Sequence, residues 1–353
     1  MVFALAGVRV LDLATLFPAP LLAAMLGDLG ADVVKVEPEN GDPLRQVGAN
    51  IDGTTAGWKV AGRNKRSVVV AKNVAADLAA VSDVVIVNRR RQVLERDAWD
   101  YNSVRSRNEN VIYVSLTAFG THGPYADRPG NGSIAEAFGG FAFLNGETQG
   151  SPTLPSLPLG DTLAAMSGMN SVLAALYARD VNGAGGTYVD IAMYEPMLSL
   201  LATSIAAWDP SSEAPVRMGS RIAGAAPRNV YRCADGEWLA LSGTTDQQVA
   251  RLLRVMGHDE SSSAWTHASD RAGAAADALD DAVADWIARQ DREAAISVLA
   301  RERIPVAPVN SLADLAKDQH VRERGSLDSA LGVVRRSSPA LGEHTQDVLR
   351  EWL

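Results

Sequence analysis

The chain has 353 residues, 47% of them apolar, and a formal net charge of −9 at neutral pH. This length fits about two domains with a sizeable core, whereas the negative charge argues against nucleic acid or an anionic membrane surface as the main partner. The single cysteine, Cys233, excludes an internal disulfide framework and a paired thiolate metal site, which is typical of cytoplasmic proteins.

The apolar N-terminal stretch, residues 1–26, lacks the basic leader of a signal peptide, and Arg9 and Asp12 interrupt it. No stretch of the sequence reaches the ~18 uninterrupted apolar residues of a membrane span. We therefore expect a soluble, cytoplasmic protein whose first residues form a strand.

The first half of the chain alternates buried-type strands with helices. Val8–Leu13 predicts a strand, Pro18–Leu29 a helix and Ala31–Val36 a second strand, which together make a βαβ unit. Three more runs rich in Val and Ile extend the predicted parallel sheet to about five strands: Ser67–Ala71, Val84–Val87 and Val111–Leu116. The fold class is therefore a doubly wound, Rossmann-like α/β domain.

The junction between the first strand and the first helix, Ala14–Pro20, contains no glycine. The fingerprint that brings a dinucleotide pyrophosphate onto a helix N-terminus needs glycines at this place. Glu37 ends the second strand, where such enzymes hold a ribose, but without the glycines NAD and FAD are disfavoured.

Basic residues collect near the strand ends of this acidic chain. Guanidinium and ammonium groups pair with phosphate oxygens, so the cluster predicts a polyphosphate ligand. Composition alone leaves open that these are solvated surface charges. The residues are Arg45, Arg63, Lys65, Arg66, Arg89, Arg90, Arg91 and Arg96.

Asp161 follows a Pro/Gly-rich loop and opens a long apolar run with helical spacing, Thr162–Ala178. An Asp at this place usually caps free main-chain N–H groups of a helix, and that is the first interpretation.

His122 lies among glycines with no orienting carboxylate visible, so it is more typical of a loop residue than of a general base.

Eight short motifs occur in one order along the chain: Gly7–Leu13, Leu29–Pro38, Arg63–Ser67, Gly120–Tyr125, Gly160–Asp161, Tyr231–Trp238, Ile304–Val309 and Pro339–Thr345. Taken together, they resemble the family III CoA-transferases, which include formyl-CoA transferase, carnitine CoA-transferase and the α-methylacyl-CoA racemases. The resemblance covers nearly the whole chain and rests on the ordered set rather than on any one motif.

The resemblance implies that Asp161 is the catalytic residue and forms a covalent aspartyl intermediate. It implies CoA or acyl-CoA as a substrate rather than a tightly bound cofactor, a carboxylic acid as the second substrate, no metal, and a homodimer of interlocked chains. By resemblance, Lys65, Asn88 and Arg96 match positions that contact the nucleotide of CoA, and the further candidates are Arg45, Arg66 and Arg128.

Three departures from the family pattern leave alternatives open. Arg89–Gln92 replaces a segment that commonly ends in Pro-Gly, and Gly219–Pro227 is small but not a glycine run. Asn131 and Gly132 stand where the racemases carry a His-Asp pair, and Asn is not an acid–base group. Transfer is thus favoured over an acyl-CoA racemase or epimerase, and a non-catalytic CoA-binding homologue is the second alternative.

The second half of the chain begins after an Asp/Ser/Pro-rich linker, Pro210–Pro215. A hairpin formed by Val230–Cys233 and Trp238–Ser242 is predicted there, followed by helices: Gln247–Met256, Ala274–Arg289 and Arg292–Arg301. We therefore expect a large CoA-binding domain over residues 1–209, completed by residues 310–353, and a small domain over residues 216–309.

Overall fold

The computed structural model describes residues 3–211, 214–259 and 264–353. The chain divides into two compact units, one formed by Met1–Ala142, Leu154–Glu213 and Ser326–Leu353, and the other by Phe143–Thr153 and Ala214–Gly325. The domain division drawn from the sequence differs from these two units at residues 143–153 and 310–325. The predicted division stays a prediction. Within the predicted linker, residues 212 and 213 lie outside the described residues.

Six parallel strands form the sheet of the first unit, which confirms the predicted parallel α/β class. Their order is β5-β2-β1-β6-β7-β8, and β8 is a strand that the sequence analysis missed. In chain order the strands of this unit are β1 (Arg9–Asp12), β2 (Asp32–Glu37), the short antiparallel pair β3 (Asn50–Ile51) and β4 (Thr54–Thr55), β5 (Lys65–Val69), β6 (Val84–Val87), β7 (Ile112–Thr117) and β8 (Thr187–Ala192).

Helices connect and cover these strands, and others build most of the second unit. In chain order they are α1 (Pro18–Asp28), α2 (Ala56–Ala61), α3 (Lys72–Ala80), α4 (Arg91–Arg96), α5 (Tyr101–Arg105), α6 (Gly132–Phe138), α7 (Phe141–Leu144), α8 (Leu159–Asp180), α9 (Tyr194–Leu200), α10 (Ala202–Ala207), α11 (Asp246–Met256), α12 (Ala274–Ile287), α13 (Arg292–Arg301), α14 (Leu312–Lys317), α15 (Gln319–Glu323), α16 (Ser326–Ala330) and α17 (Thr345–Trp352).

The direction of winding reverses between β1 and β6. From β1 the chain winds outward through β2 to β5, and it then returns to the other side of β1 and continues through β6 and β7 to β8. Open parallel sheets bind ligands at such a switch point, outside the carboxyl ends of the strands. The β1–α1 turn, residues 13–17, and Asn88 after β6 lie at this place.

Helices α1 and α8 pack together on one face of the sheet, within a core that includes Leu22, Val172 and Ile191. A Cβ at Gly168 would lie 2.7 Å from Ile191 Cδ1 and 2.9 Å from Leu22 Cδ2, so glycine permits the close approach of α8 to its neighbours. Because α8 connects two parallel strands, β7 and β8, its N-terminus lies at the carboxyl edge of the sheet. This places Asp161 at the edge where ligands bind.

The second unit contains a three-stranded antiparallel sheet formed by β9 (Arg228–Arg232), β10 (Trp238–Ser242) and β11 (Val306–Pro308). The predicted hairpin corresponds to β9 and β10 and is confirmed. Buried Tyr231 and Leu239 pack there against α11, α12 and α13. Nowhere in the described ranges is a helix long and apolar enough to cross a membrane.

Candidate active site

Asp161 is the third residue of α8, because that helix begins at Leu159. Pro158 occupies the capping position and makes no side-chain capping bond. The interpretation of Asp161 as a helix cap is therefore wrong: its carboxylate lies inside the first turn and turns toward the N-terminus of a second helix, α6. The side chain is half-buried.

Two glycines make room for this carboxylate. A Cβ at Gly132 would lie 2.6 Å from Cγ of Asp161 and 2.7 Å from both carboxylate oxygens. A Cβ at Gly160 would lie 2.8 Å from the carbonyl oxygen of Gly132. Any side chain at either position would push the first turns of α6 and α8 apart, so the close approach of the two helix starts depends on these glycines.

Glu136 is the second acid of the site and is 2% exposed. Its Oε1 accepts a hydrogen bond of 2.8 Å from the main-chain N–H of Gly160, which fixes the first turn of α8. The sequence analysis missed Glu136 because the contact joins residues 24 positions apart and no local pattern marks it. Its carboxylate lies near that of Asp161 and affects its ionisation.

Burial and the neighbouring Glu136 raise the pKa of Asp161 to about 6, and the main-chain N–H of Gly132 partly opposes this rise. A carboxyl group with this pKa is mostly ionised at neutral pH, but its negative charge is poorly solvated. A carboxyl group whose raised pKa has an identified physical cause is a candidate reactive group. The dipoles of the two helices that start beside it favour negative charge at the same place.

Asn131 caps α6, since its Oδ1 accepts a 3.2 Å hydrogen bond from the N–H of Ile134. Aromatic rings with centroids 5.1 to 6.4 Å apart extend from the far end of this short helix: Phe119, Tyr125, Phe138 and Tyr194. Arg128 lies over one of these rings, with its Cζ 3.5 Å from the centroid of Tyr125. Aromatic side chains therefore pack together at the end of α6 away from Asp161.

Asn88 binds both polar groups of the main chain of Thr15 at the switch point. Its Oδ1 accepts a 2.9 Å hydrogen bond from the Thr15 N–H, and its Nδ2 donates a 2.7 Å bond to the Thr15 carbonyl. Arg89 donates through Nε to the carbonyl of Leu13 at 3.2 Å. The segment after β6 thus holds the β1–α1 turn.

Three of the basic residues predicted to contact CoA are bonded to other groups of the first unit. Lys65 is fully buried and donates to Asp12 and to the Pro20 carbonyl, at 2.7 Å each. Arg45 forms a two-pronged ion pair with Glu37 and stacks 3.9 Å from the Trp58 ring centroid. Arg66 pairs with Asp32 and Glu351.

The other predicted CoA residues lie nearer the surface. Arg96 ends α4 with an exposed side chain that donates to Asp97 at 2.8 Å, and Arg128 is exposed. The six residues therefore do not form one cluster: Asn88 and Arg96 belong to the segment after β6, Arg128 precedes α6, and Lys65, Arg45 and Arg66 are held in ion pairs. Their role in CoA binding stays a prediction.

His122 does have an orienting carboxylate, contrary to the expectation from the sequence. Its Nδ1 lies 3.1 Å from Oδ2 of Asp190, which also accepts hydrogen bonds from the N–H and hydroxyl of Thr121. Asp190 belongs to β8, the strand that the sequence analysis missed. Asp190 and its neighbour Tyr188 lie on the face of the sheet opposite to α8, where Tyr188 stacks on Tyr113, so this pair is separate from Asp161.

The second unit has a cavity of about 440 Å³, lined by the carboxylates Glu147, Asp277, Asp280 and Asp281 among other residues. Its one lining cation, Arg221, is paired with Asp277. Asp280 accepts hydrogen bonds from Asn229 and Tyr231. This negative lining does not suit a polyphosphate. Among the residues that the structure describes, no group of three or more His, Cys, Asp or Glu side chains is arranged to hold a metal ion.

The sequence profile of CoA-transferase family III matches residues 5–345. The beta subunit of succinyl-CoA–L-malate CoA-transferase from Chloroflexus aurantiacus is 35% identical over 99% of this chain and 94% of that protein. The succinate–glutarate CoA-transferase of Agrobacterium fabrum is 30% identical over 98% of this chain and 95% of its own.

A solved structure has the same fold from end to end. The crystal structure of a CAIB/BAIF family protein from Brucella suis superimposes with a TM-score of 0.86, at 28% identity, and covers 99% of each chain. The resemblance seen in the sequence is thus confirmed over the whole length. The chain belongs to CoA-transferase family III and is an enzyme that transfers CoA.

Proposed function

We propose that the chain is an acyl-CoA:carboxylate CoA-transferase that works through a covalent intermediate on Asp161. The observation that carries this proposal is the setting of that carboxylate: it is half-buried, two helices start beside it, an acid is its neighbour, and a glycine gives its oxygens the room that a side chain would fill. A carboxylate in this setting is ionised at neutral pH yet poorly stabilised, which suits a nucleophile.

The reaction proceeds in four balanced steps. Asp161 Oδ attacks the thioester carbonyl of the acyl-CoA and expels CoA thiolate, leaving a mixed anhydride. The thiolate attacks the Asp161 carbonyl carbon, so the first carboxylic acid departs as its carboxylate and an aspartyl-CoA thioester remains. The acceptor carboxylate then attacks this thioester, forming a second anhydride and releasing thiolate. Attack of the thiolate on the acceptor's carbonyl yields the new acyl-CoA and frees Asp161.

The helix starts stabilise the charge that develops in these steps. Each attack produces an oxyanion at or beside the Asp161 carbonyl, and main-chain N–H groups at helix N-termini are donors that need no reorganisation. The N–H of Gly132 faces the carboxylate in the resting enzyme. Glu136 binds the N–H of Gly160 and so fixes the direction of the first turn of α8.

Asn131 favours transfer over racemisation. Its side-chain oxygen is used to cap α6, and an amide neither gives nor takes a proton as an acid or base at physiological pH. Two-base proton exchange at the α-carbon of an acyl-CoA therefore lacks a partner at this position. Loss of α-deuterium from a 2-methylacyl-CoA in the absence of any acceptor acid would instead support the racemase alternative.

We place CoA across the carboxyl edge of the sheet, at the switch point between β1 and β6. Exposed Arg96 and Arg128 are the proposed direct contacts for its phosphates, because one guanidinium group can donate two parallel hydrogen bonds to a phosphate. Asn88 holds the adjoining turn. Lys65, Arg45 and Arg66 would have to exchange carboxylate partners for phosphate to contact the nucleotide.

The relatives suggest which acids to test first. Their names specify succinyl-CoA with L-malate and succinate with glutarate, so we propose succinyl-CoA as donor and small dicarboxylates as acceptors. A homodimer is supported by Tyr177 near the end of α8 and by Val181, one turn later and just after the helix, which are 61% and 63% exposed. Large apolar side chains exposed side by side are typical of a contact with another chain. Light scattering of wild type and Tyr177→Glu tests the dimer.

The decisive experiment is intact-mass analysis after mixing the protein with succinyl-CoA. We expect a covalent increase of one CoA less one water, mapped to the peptide containing Asp161 and discharged by hydroxylamine. Asp161→Asn should lose the adduct and at least ~10³-fold of exchange activity, whereas the matched control Asp190→Asn should retain both. Full exchange activity in Asp161→Asn would overturn the covalent mechanism. CoA binding without any adduct across a wide panel of acids would support the non-catalytic homologue.

A further inference from the structure

Four charged side chains are buried together below the β1–α1 turn. Asp12, Lys35, Asp42 and Lys65 are each at most 1% exposed, and we call them the buried charge group. Lys35 Nζ lies 3.1 Å from Asp42 and 3.6 Å from Asp12, and Lys65 Nζ lies 2.7 Å from Asp12. Two acids and two bases thus form a continuous, neutral network.

Every member of this group also binds the main chain between residues 14 and 20. Asp12 accepts from the Ala14 N–H at 3.0 Å, and Lys35 donates to the Ala14 carbonyl. Asp42 accepts from the Leu16 N–H at 3.1 Å, and Lys65 donates to the Pro20 carbonyl. With the bonds from Asn88 and Arg89, side chains bind six of the ten main-chain N and O atoms of residues 13–17.

The turn holds a conformation that its sequence does not favour. Leu16 has a φ of +67°, a left-handed conformation that costs free energy in a residue with a branched side chain. Such a conformation persists only where the surroundings over-determine it, and it clusters at functional sites. The Leu16 side chain is 47% exposed, so the held residue presents its side chain outward at the switch point rather than into the core.

Stability alone does not account for four buried charges. Well-packed apolar side chains usually stabilise a core as well as buried ion pairs do. What charged side chains can do, and apolar ones cannot, is bind main-chain N–H and C=O groups. The bonds of this group converge on one exposed turn, at the place where parallel α/β sheets bind ligands.

We propose that the buried charge group consists of positioning residues for CoA: it locks the β1–α1 turn in its binding conformation before the ligand arrives. This inference rests on the proposed function. Because the turn is already ordered in the folded protein, the free energy of CoA binding is not reduced by the entropy cost of ordering it. Since the exposed side chain of Leu16 is apolar, it packs against an uncharged part of the ligand. Lys65 then supports the turn from below instead of contacting phosphate.

The test compares two matched removals of a cation that binds both a carboxylate and a main-chain carbonyl. Lys35→Met deletes the ion pairs with Asp42 and Asp12 and the hydrogen bond to the Ala14 carbonyl. Arg179→Met, the control, likewise deletes an ion pair with a carboxylate, that of Asp83, and a hydrogen bond to a carbonyl, that of Asn110, but at the C-terminal end of α8, away from the turn. Both variants should melt at lower temperature. Titration calorimetry should give a CoA Kd raised about tenfold for Lys35→Met, with KM for the donor rising in parallel and kcat changing far less, and an unaltered Kd for Arg179→Met.

Leu16→Gly provides a second variant that does not threaten folding, because glycine adopts a φ of +67° without strain. It should weaken CoA binding while leaving the melting temperature within a few degrees of wild type. Equal Kd values in wild type, Lys35→Met and Leu16→Gly would overturn the positioning role and leave the proposed function standing. Wild-type protein that takes no CoA in the calorimeter would overturn both.

Discussion

Two aspartates at the carboxyl edge of the same sheet have opposite surroundings. Asp12 is fully buried, and burial alone would raise its pKa, but Lys35 and Lys65 together hold it below its usual value. Asp161 is half-buried beside Glu136, and burial followed by that neighbouring charge raises its pKa to about 6. One carboxylate is compensated by two ammonium groups. The other has no cation partner among the residues that the structure describes.

The difference separates structural charge from reactive charge. A compensated carboxylate has its lone pairs occupied and is a poor nucleophile, whereas an uncompensated one raises the free energy of the folded state and gains from becoming covalently bound and neutral. Pairs of titratable groups whose surroundings push their pKa values apart are a general signature of enzyme sites. The comparison predicts that the same chemical change, Asp to Asn, has opposite effects on stability at the two positions.

Asp12→Asn should destabilise the protein by about 3–5 kcal/mol, because it leaves Lys35 and Lys65 buried without their shared counter-charge. Urea denaturation followed by circular dichroism at neutral pH measures this free energy. The control Asp28→Asn removes the partly exposed partner of Arg63 and should cost less. A loss below about 1 kcal/mol for Asp12→Asn would mean that the two ammonium groups are compensated in another way.

Gly132→Ala should lower kcat/KM about a hundredfold, since the new Cβ would lie 2.6 Å from Cγ of Asp161 and displace the carboxylate that we propose as the nucleophile. Gly57→Ala is the matched control. It also adds a methyl group at a helical glycine of the first unit, but its Cβ meets only the flexible side chain of Leu44, at 2.9 Å. We expect near wild-type kcat/KM in Gly57→Ala. Equal effects of the two substitutions would indicate that Asp161 tolerates displacement.

The sequence was sufficient to locate the five parallel strands β1, β2, β5, β6 and β7 and to place Asp161 near a helix start. Strand β8 was missed because it is an edge strand that carries Tyr188 and Asp190 on one face, so it lacks the continuous Val/Ile signal of its buried neighbours. His122 appeared to have no orienting carboxylate for the same reason. An undetected strand thus concealed a contact between residues 68 positions apart.

The basic residues show a second limit of prediction from the sequence. Lys65, at the start of β5, pairs in register with Val33 of β2, and this register turns its ammonium group inward to Asp12. A lysine before a strand has the same sequence signature whether it faces a ligand or a buried carboxylate. Composition alone therefore predicts a phosphate-binding cluster of cations. The partner that each cation actually binds depends on sheet register and on contacts between residues far apart in the sequence.

Asp161→Asn should stabilise the protein at pH 8 by about 1–2 kcal/mol, because the charge that it removes is poorly solvated in the folded state. The folded-state pKa is raised, so the wild type is penalised only above the ordinary carboxyl pKa: its stability falls as the pH rises from about 4 through about 6. The gain of the variant should be present at pH 8 and absent at pH 4. Chemical denaturation at both pH values checks this, and a destabilised variant at pH 8 would contradict the comparison.

Glu136→Gln should move the acid limb of the pH–rate profile to lower pH. In the proposed mechanism the nucleophile is the ionised form of Asp161, so activity should fall as the pH drops through its pKa of about 6. The amide keeps an oxygen for the Gly160 N–H but removes the negative charge that helps to raise this pKa, while burial still keeps the pKa above its ordinary value. The variant should therefore retain more of its plateau rate at pH 5 than the wild type does. Steady-state kcat/KM between pH 4.5 and 8 measures the shift. An unmoved limb would leave burial as the sole cause of the raised pKa, and a limb displaced to higher pH would contradict any pKa-raising effect of the Glu136 charge.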